Sequence, residues 1–270
     1  MSPRFPLDPP AVPAQPLNSQ FQIQSRVDRQ RITWLGPLLL VTGRSVFILL
    51  AQALVALIFL LRGTRHPWLA AAPWWTVYGT LVDLGCLALL WKFTRAEGIT
   101  IPNLIGSIRW RYGRDFFLGV AVFLVAFPFF IAAGLLACRW LYGAYQVPLY
   151  PGVLFERVLP LWASLYSRFI WWIIWSPTEE VTYAGYALPR FQALTRRTWV
   201  AVAIVGFWWT IQHSFLPFIP DARLFLYRFL AFLPGVLMLC LLYLRIRRLA
   251  PIILAHWVMD NLAVFITLKL

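Results

Sequence analysis

The stretch SPTEEVTYAGY, residues 176–186, places two adjacent carboxylates, Glu179 and Glu180, in a chain that is otherwise strongly apolar. Of the 270 residues, 61% are hydrophobic and 13% are charged, and Asp and Glu together number only 10. A soluble domain carries about a quarter charged residues, so this composition is typical of a membrane protein. Because charge inside a membrane segment costs several kcal/mol, the acidic pair indicates a functional site.

Long apolar runs on both sides of this stretch predict the fold class. Each run is near the roughly 20 residues that a helix needs to cross a bilayer. We therefore predict an all-α, polytopic bundle of transmembrane helices with about seven spans, between six and eight. The predicted spans cover approximately residues 34–61, 73–91, 116–138, 158–180, 198–216, 224–244 and 250–268.

Composition divides the chain into three predicted parts. Residues 1–33 are rich in Pro, Gln and Ser and predict a disordered tail, because such a segment cannot bury a core. Residues 34–157 contain the first transmembrane helices and their connectors. Residues 158–268 contain the spans with the candidate catalytic motifs.

The placement of Lys and Arg predicts the orientation, because cytosolic loops carry an excess of both. The segments assigned to the cytosolic side contain Arg26, Arg29, Arg31, Lys92, Arg95, Arg109, Arg111, Arg114, Arg190, Arg196, Arg197, Arg245, Arg247 and Arg248. We therefore predict a multi-pass plasma-membrane protein with a cytosolic N-terminus. The net charge is +14, and we interpret the basic residues at the span ends as contacts with anionic lipid headgroups. Membrane lipid is therefore a predicted partner, and nucleic acid is not.

Two of the three histidines, His213 and His256, lie inside predicted spans. Asp260 follows His256 by four residues and therefore shares its helix face. A carboxylate in a low-dielectric cavity can take a proton from water, and imidazoles can stabilise an oxyanion or hold a metal ion. The residues by themselves leave open whether Glu179, His213 and His256 bind a divalent metal such as zinc.

These residues resemble the motifs of the CPBP intramembrane proteases, the type II CAAX prenyl endopeptidases and their bacterial relatives. The matching segments are Glu179-Glu180 followed by Tyr183 and Gly185, Trp209-x-x-x-His213, and His256-x-x-x-Asp260. They occur in the family's order, one in each of three spans, and the resemblance extends from about residue 158 to 265.

The resemblance implies an endopeptidase that cuts a membrane-embedded or lipidated peptide. Glu179 would activate water, and His213 and His256 would support the nucleophile or the oxyanion. Asp260 would orient or contact the oxyanion site, and Glu180 would be an orienting partner. Trp209, one turn before His213, is a candidate for lining the cavity.

One position departs from the family pattern. The family has an Arg four residues after the second Glu, where this chain has Ala184. We consider Arg168 and Arg228 as other sources of the charge, and we interpret Arg44 and Asp83, both within predicted spans, as a charge pair or a water-facing feature. The departure bears on activity and leaves the fold prediction unchanged.

Two other functions remain open at this stage. A non-catalytic member of the family could act as a membrane interaction or immunity protein, and Ala184 favours that hypothesis. A proton-coupled transporter would also use buried Glu and His side chains. The sequence shows no internal repeat of the kind that many transporters contain, which disfavours the second alternative.

Overall fold

The computed structural model of the chain describes residues 16–105, 112–147, 150 and 152–269. The elements are α1 (Gln20–Asp28), α2 (Leu35–Leu61), α3 (Pro67–Ala71), a 3-10 turn (Ala72–Trp74), α4 (Trp75–Ala96), α5 (Ile101–Ile105), α6 (Tyr112–Tyr142), β1 (Arg157–Val158), α7 (Leu161–Phe169), α8 (Trp171–Glu180), a π-helical segment (Val181–Ala187), α9 (Leu188–Thr195), α10 (Thr198–Phe215), α11 (Ala222–Ile246), α12 (Leu249–Thr267) and β2 (Leu268–Lys269). The protein is an all-α helical membrane protein, as predicted.

Within the described residues, five helical stretches are long and apolar enough to cross a membrane. They are Leu35–Leu61, Pro67–Ala96, Gly113–Tyr142, Ala222–Ile246 and Leu249–Thr267. The other two predicted spans fall on helices outside this set. The fourth is broken into α7, α8, the π-helical segment and α9, and the fifth is the 18-residue α10.

The predicted disordered tail is partly wrong. Residues 1–15 lie outside the described residues, but α1 forms between residues 20 and 28. The Ser19 side chain caps this helix by accepting a hydrogen bond from the Gln22 N–H, and Ile23 is completely buried. Tertiary packing of α1 against α9 overrides the polar composition that predicted disorder.

The long helices pack so that the bundle has two ends. We call one the basic end; it carries Arg95, Arg190, Arg197, Arg247 and Arg248. Contacts between elements mark it: Arg248 Nη2 lies 2.5 Å from Asp115 Oδ2, and Arg247 donates to Gln192. α6 packs against α11 and α12, and α2 packs against α4. α10 contacts both α2 and α11, and α8 contacts both α4 and α12, which joins the two groups into one bundle.

Contacts between loops stabilise the opposite end. We call it the cavity end, after the cavity described in the next subsection. β1 and β2 pair in parallel, so the segment before α7 is held against the end of α12. The Tyr150 hydroxyl donates to Asp221, which also caps α11 by accepting the N–H groups of Arg223 and Leu224. The hydrogen bond from Leu224 is the main reason that the pKa of Asp221 is lowered.

Candidate active site

The acidic pair lies at the junction of α8 and the π-helical segment. Pro177 sits inside α8, and the hydroxyls of Thr178 and Thr182 donate to the carbonyls of Ile174 and Thr178, one turn back. Such back-bonding and a proline both disturb the regular helical ladder. π-Helical turns occur frequently at functional sites, and this one places Glu179 and Glu180 in a completely buried environment.

Glu179 is the centre of the site and contacts three other helices. Its Oε1 accepts the Trp209 indole N–H at 2.5 Å and lies 3.6 Å from His213 Nε2 and 3.9 Å from His256 Nε2. Its Oε2 accepts from Arg44 Nη2 at 3.3 Å. The structure therefore brings both intramembrane histidines to one carboxylate oxygen, within direct or one-water reach.

His256 is held from both sides of its ring. Its Nδ1 lies 2.9 Å from Glu180 Oε1, and its Nε2 lies 3.5 Å from Asp260 Oδ1. Asp260 is fixed in turn by Ser176, whose hydroxyl donates to Oδ2 at 2.5 Å. A histidine whose ring nitrogens face two carboxylates has a defined orientation, so Glu180 and Asp260 position His256.

His213 is oriented by packing. Its ring stacks on Phe232 of α11, with ring centroids 4.0 Å apart and planes 12° apart. Trp209, one turn earlier, stacks on Tyr183 of the π-helical segment at 5.1 Å. These two stacks fix α10 against α11 and against the segment that follows the acidic pair. Each places a hydrogen-bonding ring next to Glu179.

Arg44 brings a buried cation to Glu179, whereas the motif Arg that is missing at Ala184 would pair with Glu180. Arg44 is completely buried on α2; its Nη1 lies 3.2 Å from Asp83 Oδ1 on α4, and its guanidinium lies 4.1 Å over the Trp175 ring. The interpretation of Arg44 and Asp83 as a charge pair is correct, but the pair also extends to Glu179. Ala184 itself is completely buried within the apolar core.

Neither of the other arginines considered for this role pairs with Glu179 or Glu180, although Arg228 also lines the cavity described below. Arg168 donates to the Leu268 carbonyl, and Arg228 donates to the carbonyls of Leu216 and Pro217, which directly follow α10. The arginine partner that the family motif implies for Glu180 is replaced by His256. The cation from Arg44 is paired with Glu179 instead.

A cavity of about 1010 Å³ runs from Glu179 toward the cavity end. Its lining includes Glu179, Trp209, His213, His256 and Asp260. Most of the remaining wall is apolar or aromatic, and the side chains that form it include Phe127, Phe130, Ile131, Leu135, Trp171, Trp175, Phe232 and Met259. This combination of a few convergent polar groups in an apolar concavity is typical of a binding or active site.

The polar set around Glu179 does not fit a metal ion. Within the described residues, no group of three or more His, Cys, Asp and Glu side chains has an arrangement that could hold one. The oxygen nearest both histidines already accepts the Trp209 N–H, and the other oxygen faces the Arg44 cation. A divalent ion would compete with both donors, so no catalytic step is assigned to a metal.

Sequence reasoning missed the roles of three residues near Glu179 and Glu180. Arg44 and Asp83 come from α2 and α4, outside the segment of residues 158–268 that was predicted to contain the catalytic motifs, and Ser176 lies next to Pro177. The sequence did contain a signal for Arg44, which lies in a 27-residue apolar helix. A charged residue inside a membrane span indicates a functional site. Ser176 carried no such signal.

Comparison with known proteins agrees with the motifs. Residues 159–262 match the model of the family described as "Type II CAAX prenyl endopeptidase Rce1-like". Comparisons with curated proteins and with solved structures found no match. The matched range contains Glu179, Glu180, His213, His256 and Asp260, and it ends before β2. The segment of residues 159–262, less than half of the chain, is therefore similar to the Rce1-like family of type II CAAX prenyl endopeptidases.

Proposed function

We propose that this chain is an intramembrane endopeptidase that hydrolyses a peptide bond of a membrane-embedded or lipidated substrate. The observation that carries the proposal is the meeting of Glu179 Oε1 with the Nε2 atoms of His213 and His256 at the buried end of the cavity. The family match supports the protease class, and the apolar cavity wall supports an apolar or lipid-bearing peptide.

In the proposed reaction, Glu179 takes a proton from a water molecule that bridges it to the histidines. The hydroxide attacks the peptide carbonyl, and the N–H of His213 or His256 stabilises the oxygen anion of the tetrahedral intermediate. Glu179 then returns the proton to the leaving amine, so one water is consumed and one acid and one amine are formed. General acid–base catalysis of this kind contributes about 10² to 10⁴ in rate.

The surrounding residues have supporting roles in this proposal. The Trp209 N–H and the Arg44 guanidinium hold the Glu179 carboxylate and balance its charge. Glu180 and Asp260 orient His256. We assign the protein to the plasma membrane with a cytosolic N-terminus, with membrane lipid and the peptide substrate as partners.

The test is peptide cleavage in proteoliposomes by the wild type and by Glu179→Gln. The probe is a fluorogenic S-farnesylated peptide with three residues after the modified cysteine. We expect Glu179→Gln to lose at least 10²-fold in rate, because the amide cannot accept the proton. Asp115→Asn is the matched control, since Asp115 pairs with Arg248 at the basic end, away from the cavity.

The alternative of a non-catalytic family member makes the opposite prediction. Its main support is Ala184, and the Arg44 cation beside Glu179 supports the catalytic proposal against it. Equal cleavage by the wild type and Glu179→Gln, or no cleavage by either while the cellular function survives the substitution, would favour the non-catalytic alternative.

A further inference from the structure

The charged side chains that line the cavity are unevenly paired. Among the described residues they are the carboxylates of Glu156, Glu179 and Asp260 and the guanidinium of Arg228. Each carboxylate has a basic side chain within ion-pair distance. No carboxylate of the described residues forms such a pair with Arg228, whose polar partners are backbone carbonyls. The cavity therefore contains one cation whose charge this part of the chain does not balance.

The Arg228 side chain is held in place at the end of α10. It donates to the carbonyls of Leu216 and Pro217, and it belongs to the membrane-spanning helix Ala222–Ile246. An arginine has five N–H donors, so these two bonds leave further donors for a ligand. Neutral carbonyls supply no opposite charge, and a charged group inside a membrane span without one is strongly unfavourable. A cation in this position indicates a site for an anionic group.

Arg228 lies close to the proposed hydrolytic groups. Phe232, one turn further along α11, stacks on His213 with ring centroids 4.0 Å apart. Leu216, whose carbonyl accepts from Arg228, follows His213 by three residues. One helical turn rises about 5.4 Å, so both routes separate Arg228 from His213 by about one turn. All four side chains line the same cavity as Glu179.

We propose that Arg228 binds the C-terminal carboxylate of the substrate peptide. The inference rests on the proposed endopeptidase function and names a residue that determines its specificity. The planar guanidinium can donate two parallel N–H bonds to a carboxylate, which fixes the position of that group and balances its charge. An extended chain advances about 3.3 Å per residue, so a carboxylate held at Arg228 brings a peptide bond only a few residues from the C-terminus to Glu179. The site thus selects the end of a chain over an internal segment.

A lipid phosphate is the other anionic group that a guanidinium in a membrane span could bind. The carboxylate is favoured because Arg228 shares one continuous cavity with Glu179 and His213. A lipid headgroup at Arg228 would occupy space that the peptide needs in order to reach these side chains. The experiment below has a separate readout for the lipid.

The test compares two peptides that differ only in the charge of the C-terminus. Both are fluorescent S-farnesylated peptides with three residues after the modified cysteine, one ending in a free carboxylate and the other in a carboxamide. Binding is measured by fluorescence anisotropy in detergent with Glu179→Gln, which cleaves too slowly to consume the probe. We expect the acid to bind at least 10-fold more tightly than the amide, because the carboxylate adds a charge-assisted pair. Adding Arg228→Gln to Glu179→Gln should make the two peptides bind equally.

Two further variants separate recognition of the carboxylate from folding. Arg228→Lys keeps the cation without the planar fork and should retain part of the preference for the acid. Arg223→Gln is the matched control, because it removes an exposed cation of the same helix that is not among the cavity-lining residues. It should keep the full preference. In proteoliposomes, Arg228→Gln with an intact Glu179 should lower kcat/KM at least 10-fold more for the acid than for the amide.

The outcomes are distinguishable. Equal binding of acid and amide to Glu179→Gln overturns the proposal without any change at Arg228. An equal loss for both peptides in Arg228→Gln also overturns it, and assigns the side chain to a structural role at the end of α10. If the same variant additionally loses copurified phospholipid phosphorus, the guanidinium holds a lipid headgroup instead. A preference for the acid in binding without cleavage by the wild type fails only the proposed function, whereas cleavage without that preference fails only the carboxylate site.

Discussion

The Glu179 carboxylate is stabilised by side chains that are distant in the sequence. A buried carboxylate needs a cation or several hydrogen-bond donors, because removing a charge from water costs much more than removing a neutral group. Glu179 has the Arg44 guanidinium, the Trp209 N–H and two imidazoles around it. Arg44 touches only other protein groups, so we class it as a positioning residue for the proposed base.

The first prediction concerns Arg44. In Arg44→Gln, Glu179 and Asp83 remain buried without their shared cation, and a buried carboxylate without a cation is costly to ionise. We expect the cleavage rate at neutral pH to fall by about 10-fold or more, a loss equivalent to about 1.4 kcal/mol, and to recover partly as the pH is raised. The measurement is the pH dependence of peptide cleavage in proteoliposomes.

Two further variants separate positioning from folding. Arg44→Lys keeps a cation near Glu179 and should restore part of the rate, whereas Asp83→Asn leaves Arg44 to Glu179 alone and should keep most of it. If Arg44→Gln has the wild-type rate and the wild-type pH profile, Arg44 has no role in holding the proposed base. Thermal unfolding in detergent shows whether each variant folds.

At the scale of elements, the site depends on how closely the helices approach one another. α6 and α11 carry much of the cavity wall, and they cross where Phe130 of α6 lies against Gly235 of α11. A Cβ atom at residue 235 would lie 2.4 Å from two Phe130 ring carbons. Because real Cβ atoms do not approach this closely, the Phe130 ring or the helix would have to shift to admit one.

The second prediction follows from this contact. Gly235→Ala should destabilise the protein by about 1 to 3 kcal/mol, the usual cost of overpacking a well-packed core. Gly134→Ala is the control on the facing helix, because its Cβ would meet Ala231 and Tyr227 only at 3.9 Å, an ordinary contact distance. The measurement is the midpoint of thermal unfolding in a fixed detergent, and equal midpoints for both variants would contradict the crossing geometry.

The elements also show what the sequence could and could not predict. Apolar length predicted α2, α6, α11 and α12 to within a few residues, because a bilayer imposes a minimum length on a spanning helix. The breaks within the fourth predicted span were not foreseen. Pro177 and the hydroxyl back-bonding by Thr178 and Thr182 account for the change from α8 to the π-helical segment, and nothing in the structure explains the break between α7 and α8 at Ile170.

The same contrast holds for the candidate site. The motifs placed Glu179, Glu180, His213, His256 and Asp260 in three spans, and the structure brings all five together. The partner of Glu179 on α2 lies 135 residues away in sequence, and spacing within a motif carries no information about such a pair. A departure from the motif at residue 184 therefore said little about whether a cation was present.

At the scale of the whole molecule, the described N-terminal segment is part of the folded protein. Glu97, at the end of α4, accepts two hydrogen bonds from Arg190 of α9, at 2.8 Å and 2.5 Å, and lies 3.6 Å from Arg26 of α1. The Asn18 side chain donates to the Gly185 carbonyl of the π-helical segment. This network connects the start of the described chain with the segment that directly follows the acidic pair.

The third prediction tests whether this network stabilises the whole bundle. Glu97 is 3% exposed and Arg190 is 0% exposed, so Glu97→Gln leaves a buried guanidinium without its carboxylate. Removing one partner of a buried pair costs about 3 to 5 kcal/mol, and we expect a loss of about 3 kcal/mol because Asn18 and the Tyr186 carbonyl still accept from Arg190. The measurement is unfolding of the full chain in detergent.

The control for this prediction is Asp28→Asn, which removes an exposed carboxylate of α1 that accepts one hydrogen bond from Gln24. Surface changes of that kind remain within about 0.5 kcal/mol. Limited proteolysis adds a second readout, since cleavage within α1 should increase in Glu97→Gln and stay unchanged in Asp28→Asn. If both variants unfold together with the wild type, the ion pairs of Glu97 with Arg190 and Arg26 contribute nothing to the stability of the bundle. Because Asn18 also contacts Gly185, a loss of peptide cleavage in Glu97→Gln that exceeds its loss of folded protein would link this network to the placement of Glu179.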